Sequence, residues 1–314
     1  MNEQLRIVFM GTPDFAVESL RQLHEANFNI VGVITATDKW GGRGRKQLME
    51  SAVKKYAKKH ELPILQPKNL KSDSFVEELR QLKADLQVVV AFRMLPRIVW
   101  DMPSKGTINL HASLLPDYRG AAPINWAIIN GEKKTGVTCF KLKHEIDTGD
   151  IISKREVKIA QDDTAGSLHD KLMQEGADLV VDSVRAIQEG SVEYHPQPMK
   201  GDFPKAPKIY LDDCQIDFSQ PVHKVYDFIR GLDPYPAAWT NIDGMIVKCY
   251  NARIVDEKGS HSAGVIEPSD EELIVNCKPG RIGIKKVKAE GKRKMDTKDW
   301  LNGYSIQKNK IQMT

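Results

Sequence analysis

The chain has 314 residues, 46 Lys plus Arg against 42 Asp plus Glu, and a formal net charge of +4. That length allows two domains, and 41% hydrophobic with 28% charged residues excludes a disordered chain. Four cysteines stand alone at 139, 214, 249 and 277, which excludes a zinc knuckle, and no stretch approaches the ~18–20 apolar residues of a membrane span. The opening MNEQLRIVFM lacks the basic and apolar regions of a secretory signal. A reducing, cytoplasmic setting is the expectation.

In chain order, LRIVFM (5–10), NIVGVIT (29–35), PIL (63–65), LQVVVAF (86–92) and GTINLHA (106–112) read as strands. Helical spacing runs through Phe15, Leu20 and Leu23, and Leu48 to His60 and Ser72 to Leu82 are long enough for crossover helices. Alternating strands and helices predict a parallel α/β sheet covered on both faces. VTCFKL (137–142) and IISKREVKI (151–159) continue the sheet, and an amphipathic helix runs from Thr164 to near Gly190. Pro196, Pro198, Pro204 and Pro207 then mark a linker. Beyond it, QIDFS (215–219) reads as a strand and Val222 to Ile229 as a helix. Asp243-Gly244 falls between alternating segments of 237–255, a hairpin signal. GVIE, LIVNCK and RIGIKKVKAEG add strands before a last helix around Thr297 to Leu301. Short strands with tight turns predict a small OB-like β-barrel. The expected boundaries are 1–190 for the first domain, 191–208 for the linker and 209–314 for the second.

Several common chemistries find no motif. GTPDF after the first strand is not G-x-G-x-x-G, GGRGRK (41–46) is not a P-loop, and neither G-x-S-x-G nor H-E-x-x-H occurs. No nucleotide cofactor and no metal are therefore expected. Asn109 and His111 are two apart in INLHA, so both side chains point to one face. They stand where a parallel sheet places its site, at a strand's carboxyl end. SLLP (113–116) follows, and HEIDTGD brings Asp147 and Asp150 in a loop between strands. An amide, an imidazole and a carboxylate converging there can stabilise an oxyanion and move a proton. The same residues could instead be hydrogen-bonded parts of the fold, and DTGD a simple turn.

FMGTPDFA (9–16), INLHASLLPDYRGAAPINWAIINGE (108–132), TGVTCF (135–140) and IDTGDI (146–151) closely resemble the formyltransferase family that uses 10-formyltetrahydrofolate. GRG (42–44), QP (66–67), AFRMLP (91–96) and LDPYPAAW (232–239) extend the resemblance to the branch that acts on aminoacyl-tRNA, over nearly the full chain. It implies a Rossmann-like catalytic domain followed by an OB-like tRNA-binding domain. It also implies transfer of formyl from 10-formyltetrahydrofolate, the co-substrate, to the α-amino group of methionine on initiator tRNA, for translation initiation. Asn109 and His111 would stabilise the oxyanion, His111 acting as acid or only as donor, and Asp147 would hold the useful His111 tautomer. Ser113, Leu114, Leu115 and Pro116 would bound the folate site, with Phe92, Met94 and Leu95 as an apolar wall. A monomer is the default.

Two basic runs fit a polyanionic partner. Residues 38–59 carry eight Lys and Arg against two acids, a net of +6, and 278–294 carry eight against one, a net of +7. Such runs are often solvated faces; two of them, one in an OB-like domain, point to tRNA backbone. The resemblance implies that the Gly-Arg-Gly loop enters the acceptor-stem groove, so Arg43, with Arg45 and Lys46, is the expected tRNA contact, and Lys39-Trp40 stands where many family members have Arg-Pro. The rival readings are a 10-formyltetrahydrofolate hydrolase or sugar-amine formyltransferase of the same superfamily, and a non-catalytic tRNA-binding module.

Overall fold

The computed structural model describes residues 4–41, 47–259, 262–306 and 311. The chain divides into two compact units, the first drawn from Met1–Arg119, Gly136–Val157 and His169–Pro204, the second from Gly120–Thr135, Lys158–Leu168 and Lys205–Thr314.

The first unit is built from β1 (Arg6–Gly11), α1 (Asp14–Glu25), β2 (Asn29–Ile34), β3 (Lys39–Gly41), β4 (Gln47–Met49), α2 (Ala52–Lys59), β5 (Ile64–Leu65), α3 (Asp73–Gln81), β6 (Leu86–Val90), α4 (Arg97–Trp100) and β7 (Thr107–His111). After β8 (Arg119–Gly120) and α5 (Pro123–Ile129) come β9 (Lys134–Lys141), β10 (Ile151–Lys158) and α6 (Ala165–Glu189). The main sheet has seven strands in the order β10-β9-β7-β6-β1-β2-β5. β5, β2, β1, β6 and β7 are parallel, and β9 runs antiparallel to β7. Every residue of β6 and all but Arg6 of β1 are buried, as apolar runs covered on both faces require. One side packs Val8, Met10 and Val89 against Phe75 and Leu79 of α3. Gly176 sits mid-helix in α6, where a Cβ would lie 2.6 Å from Leu110 Cδ2. Glycine costs helix stability, about 1 kcal/mol relative to Ala, and here it lets α6 approach β7.

Sequence reading and structure part at two places. The helix expected from Leu48 begins only at Ala52, where Ser51 Oγ caps Lys54 N at 3.0 Å. Gln47–Met49 is instead a strand paired with Lys39–Gly41. The residues between them, 42–46, lie outside the described part, and with them Arg43, Arg45 and Lys46. QIDFS is not a strand: Gln215 makes a single bridge to Trp239, and Asp217 collects Ser219 N and Oγ and Gln220 Nε2 in a turn. The alternation of Ile216 and Phe218 that suggested a strand arises because both side chains enter the second core.

In the second unit, β11 (Lys205–Ala206) and a 3-10 turn at Asp212–Cys214 precede α7 (Val222–Leu232). β12 (Trp239–Ile242), β13 (Met245–Asp256), β14 (Ile266–Glu267), β15 (Leu273–Asn276), β16 (Arg281–Ala289) and β17 (Met295–Asp296) lead to α8 (Thr297–Asn302). The antiparallel sheet runs β12-β13-β16-β15-β14, with β17 on β16. Asp243 (φ +50°) and Gly244 (φ +84°) form the predicted two-residue hairpin turn. The sheet's inner residues Val247, Cys249, Ile282 and Ile284 enclose Val225 and Ile229 of α7, an OB-like half-barrel around one helix. α5 belongs to this unit and is pinned to α7 by Asn125 Nδ2 donating to Gly231 O at 2.7 Å.

Candidate active site

β7 carries the site. Asn109 is half-buried and His111 only 6% exposed, on one face of the strand. β9 is fixed alongside by pairing Asn109 with Phe140 and His111 with Thr138. Leu142 N donates to Thr107 O at the amino end of β7, at 2.7 Å. Asp147 nevertheless reaches His111 at the carboxyl end, its Oδ2 3.8 Å from Nδ1. The segment after Leu142 therefore turns back along the length of β7, and a loop carboxylate meets a strand imidazole.

Two features force that loop. Asp147 is in the left-handed region at φ +54°, a conformation Asp adopts more readily than most residues. At Gly149 a Cβ would fall 1.7 Å from Lys141 O, so only glycine lets the loop rejoin β9. Lys143 Nζ closes it from outside, 2.6 Å from Asp150 Oδ1.

The partners of His111 assign its tautomer. Nε2 lies 2.8 Å from Tyr118 O, and a carbonyl can only accept, so Nε2 carries the hydrogen. The sequence reading gave the tautomer to Asp147; the Tyr118 carbonyl sets it instead, and Nδ1 is left facing the Asp147 carboxylate. At 3.8 Å the two are at ion-pair distance rather than in direct hydrogen bond, with reach for one bridging water. Nδ1 is thus the ring atom through which a proton can come and go.

The SLLP turn lies beside this pair. Ser113 is fully buried, with Oγ donating to Asp117 O at 2.6 Å, and Leu115 is fully buried against Phe140 and Ile151. Thr138 Oγ1 ties the turn to β9, donating to Ser113 O at 2.7 Å and accepting from Leu115 N at 3.1 Å. Leu114 and Pro116 are half-buried. Ser113 and Leu115 consequently shape a wall from behind, and the half-buried pair is what the turn can present. Among the apolar candidates, Leu95 is in the core, Phe92 packs partly against it, and Met94 is 74% exposed.

Three participants escaped sequence reading: the Tyr118 carbonyl, Thr138, and Gln197 with its partner Arg119. Only Gln197 carried a visible signal, a lone amide between Pro196 and Pro198. All four cysteines are buried, and burial pushes Cys139 and Cys249 up to about 12. Neither is a thiolate nucleophile near neutral pH. Among the described residues no group of three or more His, Cys, Asp or Glu could hold a metal, and no helix is long and apolar enough to cross a membrane.

A parallel sheet with a carboxylate–imidazole–amide set on one strand end, joined to an OB-like unit, fits one family. Residues 5–184 match the formyl transferase family and residues 208–305 its C-terminal domain; the chain belongs to the formyl transferase family. Among its relatives is the methionyl-tRNA formyltransferase of Bacteroides fragilis, 49% identical over 313 residues, covering 97% of this chain and 96% of the relative. The methionyl-tRNA formyltransferase of Parabacteroides distasonis is 51% identical over 312 residues, covering 96% of each. The fold is also that of HypX from Aquifex aeolicus, solved in complex with tetrahydrofolic acid (TM-score 0.67, 19% identity). That likeness covers 95% of this chain, which spans about half of HypX, 47% of its length.

Proposed function

We infer that the chain transfers the formyl group of 10-formyltetrahydrofolate to the α-amino group of methionyl-initiator-tRNA, giving formylmethionyl-tRNA for translation initiation. What carries the reading is near-full-length likeness, at about half identity, to enzymes named for that reaction. The cytoplasm is the compartment the substrates imply, and a monomer suffices for the chemistry.

The substrate amine is the nucleophile, so the enzyme needs none of its own, in keeping with the buried thiols. Attack on the formyl carbon generates an oxyanion. Asn109 donates to it from the β7 face, and His111 donates or relays a proton from Nδ1. Asp147 balances the imidazolium charge and passes the amine proton on through water. The departing N10 of tetrahydrofolate takes up a proton. Support for these roles comes from the 3.8 Å His111–Asp147 approach and the Tyr118 carbonyl that leaves Nδ1 as the working atom. Leu114, Pro116, Phe92 and Met94 flank the folate, with Ser113, Leu115 and Leu95 behind them. Arg43, Arg45 and Lys46 contact the tRNA backbone.

The test supplies 10-formyltetrahydrofolate with methionyl-charged initiator tRNA, uncharged tRNA or water alone, and follows tetrahydrofolate release. Release that needs the charged tRNA, with formyl appearing on methionine, is expected. Release without tRNA identifies a hydrolase, and tRNA binding with no release under any condition identifies a binding module.

A further inference from the structure

Gln197 belongs to the proline-rich stretch that follows α6, yet it is only 6% exposed. Its amide uses every hydrogen-bonding capacity it has. Nε2 donates to Asp147 O at 3.0 Å and to Gly149 O at 2.7 Å. Oε1 accepts from Arg119 Nη2 at 2.7 Å and Nε at 3.2 Å. Arg119 Nη2 also reaches Pro198 O at 3.3 Å. The same stretch bonds reciprocally to the start of β10, His195 N to Ile151 O and Ile151 N to His195 O, both at 2.8 Å. It closes on the other side of the site as well, where Tyr118 N donates to Pro204 O at 2.6 Å. The carbonyl of Tyr118 is the one that holds His111. Both partners of the imidazole are therefore braced by residues 195–204.

We propose that Gln197 is a positioning residue: its amide, oriented by Arg119, holds the backbone of the 147–149 loop so that the Asp147 carboxylate stays opposite His111 Nδ1. The proposal rests on the assignment of Asp147 as the working partner of His111. An amide is the group the position demands. The loop offers two carbonyls, which need donors, and Arg119 offers two donors, which need an acceptor; only Gln or Asn carries both, and Asn is one methylene shorter. Lost bracing leaves the substrates' binding surfaces in place and moves the carboxylate relative to the reacting centre. That loss falls on kcat, and misplacement by about 1 Å is worth on the order of 10²-fold.

The experiment compares the full-length wild type with Gln197→Met, Gln197→Glu and Asp147→Asn in steady-state formyl transfer, with folded content checked by circular dichroism. Gln197→Met keeps the bulk and removes both donors. It is expected to lower kcat by about 10²-fold, with KM for folate and tRNA nearly unchanged. Gln197→Glu keeps the acceptor for Arg119 but sets a carboxylate against two carbonyls. Its kcat relative to wild type is expected to rise as the pH is lowered, because the protonated carboxyl regains one O–H donor. Wild-type kcat in Gln197→Met alongside an inactive Asp147→Asn overturns the proposal. Activity lost only in proportion to folded protein in both Gln197 variants also overturns it, assigning Gln197 to stability. A wild-type rate in Asp147→Asn overturns the underlying assignment instead.

Discussion

Asn109 and His111 sit two apart on β7, so their contributions can be separated by single substitutions that leave the strand paired. Asn109→Ala is expected to reduce kcat by about 10²–10³-fold, the cost of one oxyanion donor, measured with saturating folate and charged tRNA. Asp147→Asn is expected to nearly abolish transfer while folate affinity, read by equilibrium titration, stays close to wild type. Gly149→Ala tests the loop rather than the carboxylate. A Cβ 1.7 Å from Lys141 O cannot be accommodated without moving backbone. The variant should lose kcat and, by overpacking, about 1–3 kcal/mol of stability, seen together in kinetics and thermal unfolding. A variant that keeps its unfolding temperature would show that the loop can rejoin β9 another way.

Elements differ in how far the sequence announces them. β1, β6 and β7 were legible because strands buried on both faces are apolar runs, and Asp243-Gly244 was legible because the turn demands two residues at positive φ. The strand pair β3–β4 was not, since its exposed residues Lys39, Trp40, Leu48 and Met49 carry no alternation between core and solvent. Asn109, His111 and Asp147 could be singled out as polar residues at strand ends. The contact that assigns the His111 tautomer could not, because a backbone carbonyl leaves no trace in residue identity. The base of the β3–β4 hairpin is held by Asp38, which pairs with Lys54 Nζ at 2.5 Å and accepts from Gln66 Nε2 at 2.9 Å. The Lys54 bond, then Gln66, holds the Asp38 carboxyl below its ordinary 3.8. Its contribution is present above that value and lost as the pH falls through the lower folded value. Asp38→Asn should therefore loosen the hairpin at neutral pH and leave the most acidic behaviour unchanged, read by hydrogen exchange of β3 and β4. Arg43→Ala is expected to raise KM for tRNA far more than KM for folate.

For the whole molecule, charge and burial set opposite sensitivities. Binding to tRNA should weaken steeply with salt as phosphate counterions are released; a flat salt profile in a filter-binding titration would count against both basic runs as tRNA surfaces. Folding stability should fall with rising pH. Cys139 and Cys249 are pushed from 9.0 to about 12 by burial, so the unfolded chain loses these protons first. Stability is fully present below pH 9 and is lost on the way to 12, at about 1.4 kcal/mol per pH unit for each thiol. Urea unfolding between pH 8 and 10.5 measures the slope, and Cys139→Ala should flatten it.

The bracing of Asp147 and Tyr118 by residues 195–204 also has a meaning in time. A ribosome delivers Asn109, His111 and Asp147 in that order, and the sheet that carries them can assemble as soon as β10 and α6 emerge. At that moment the nascent chain holds Asn109, His111 and Asp147 yet lacks Gln197, which faces the 147–149 loop, and Pro204, which faces Tyr118. The bracing around His111 is thus the last feature the first unit acquires, supplied by a stretch that looks, in sequence, like a mere connector.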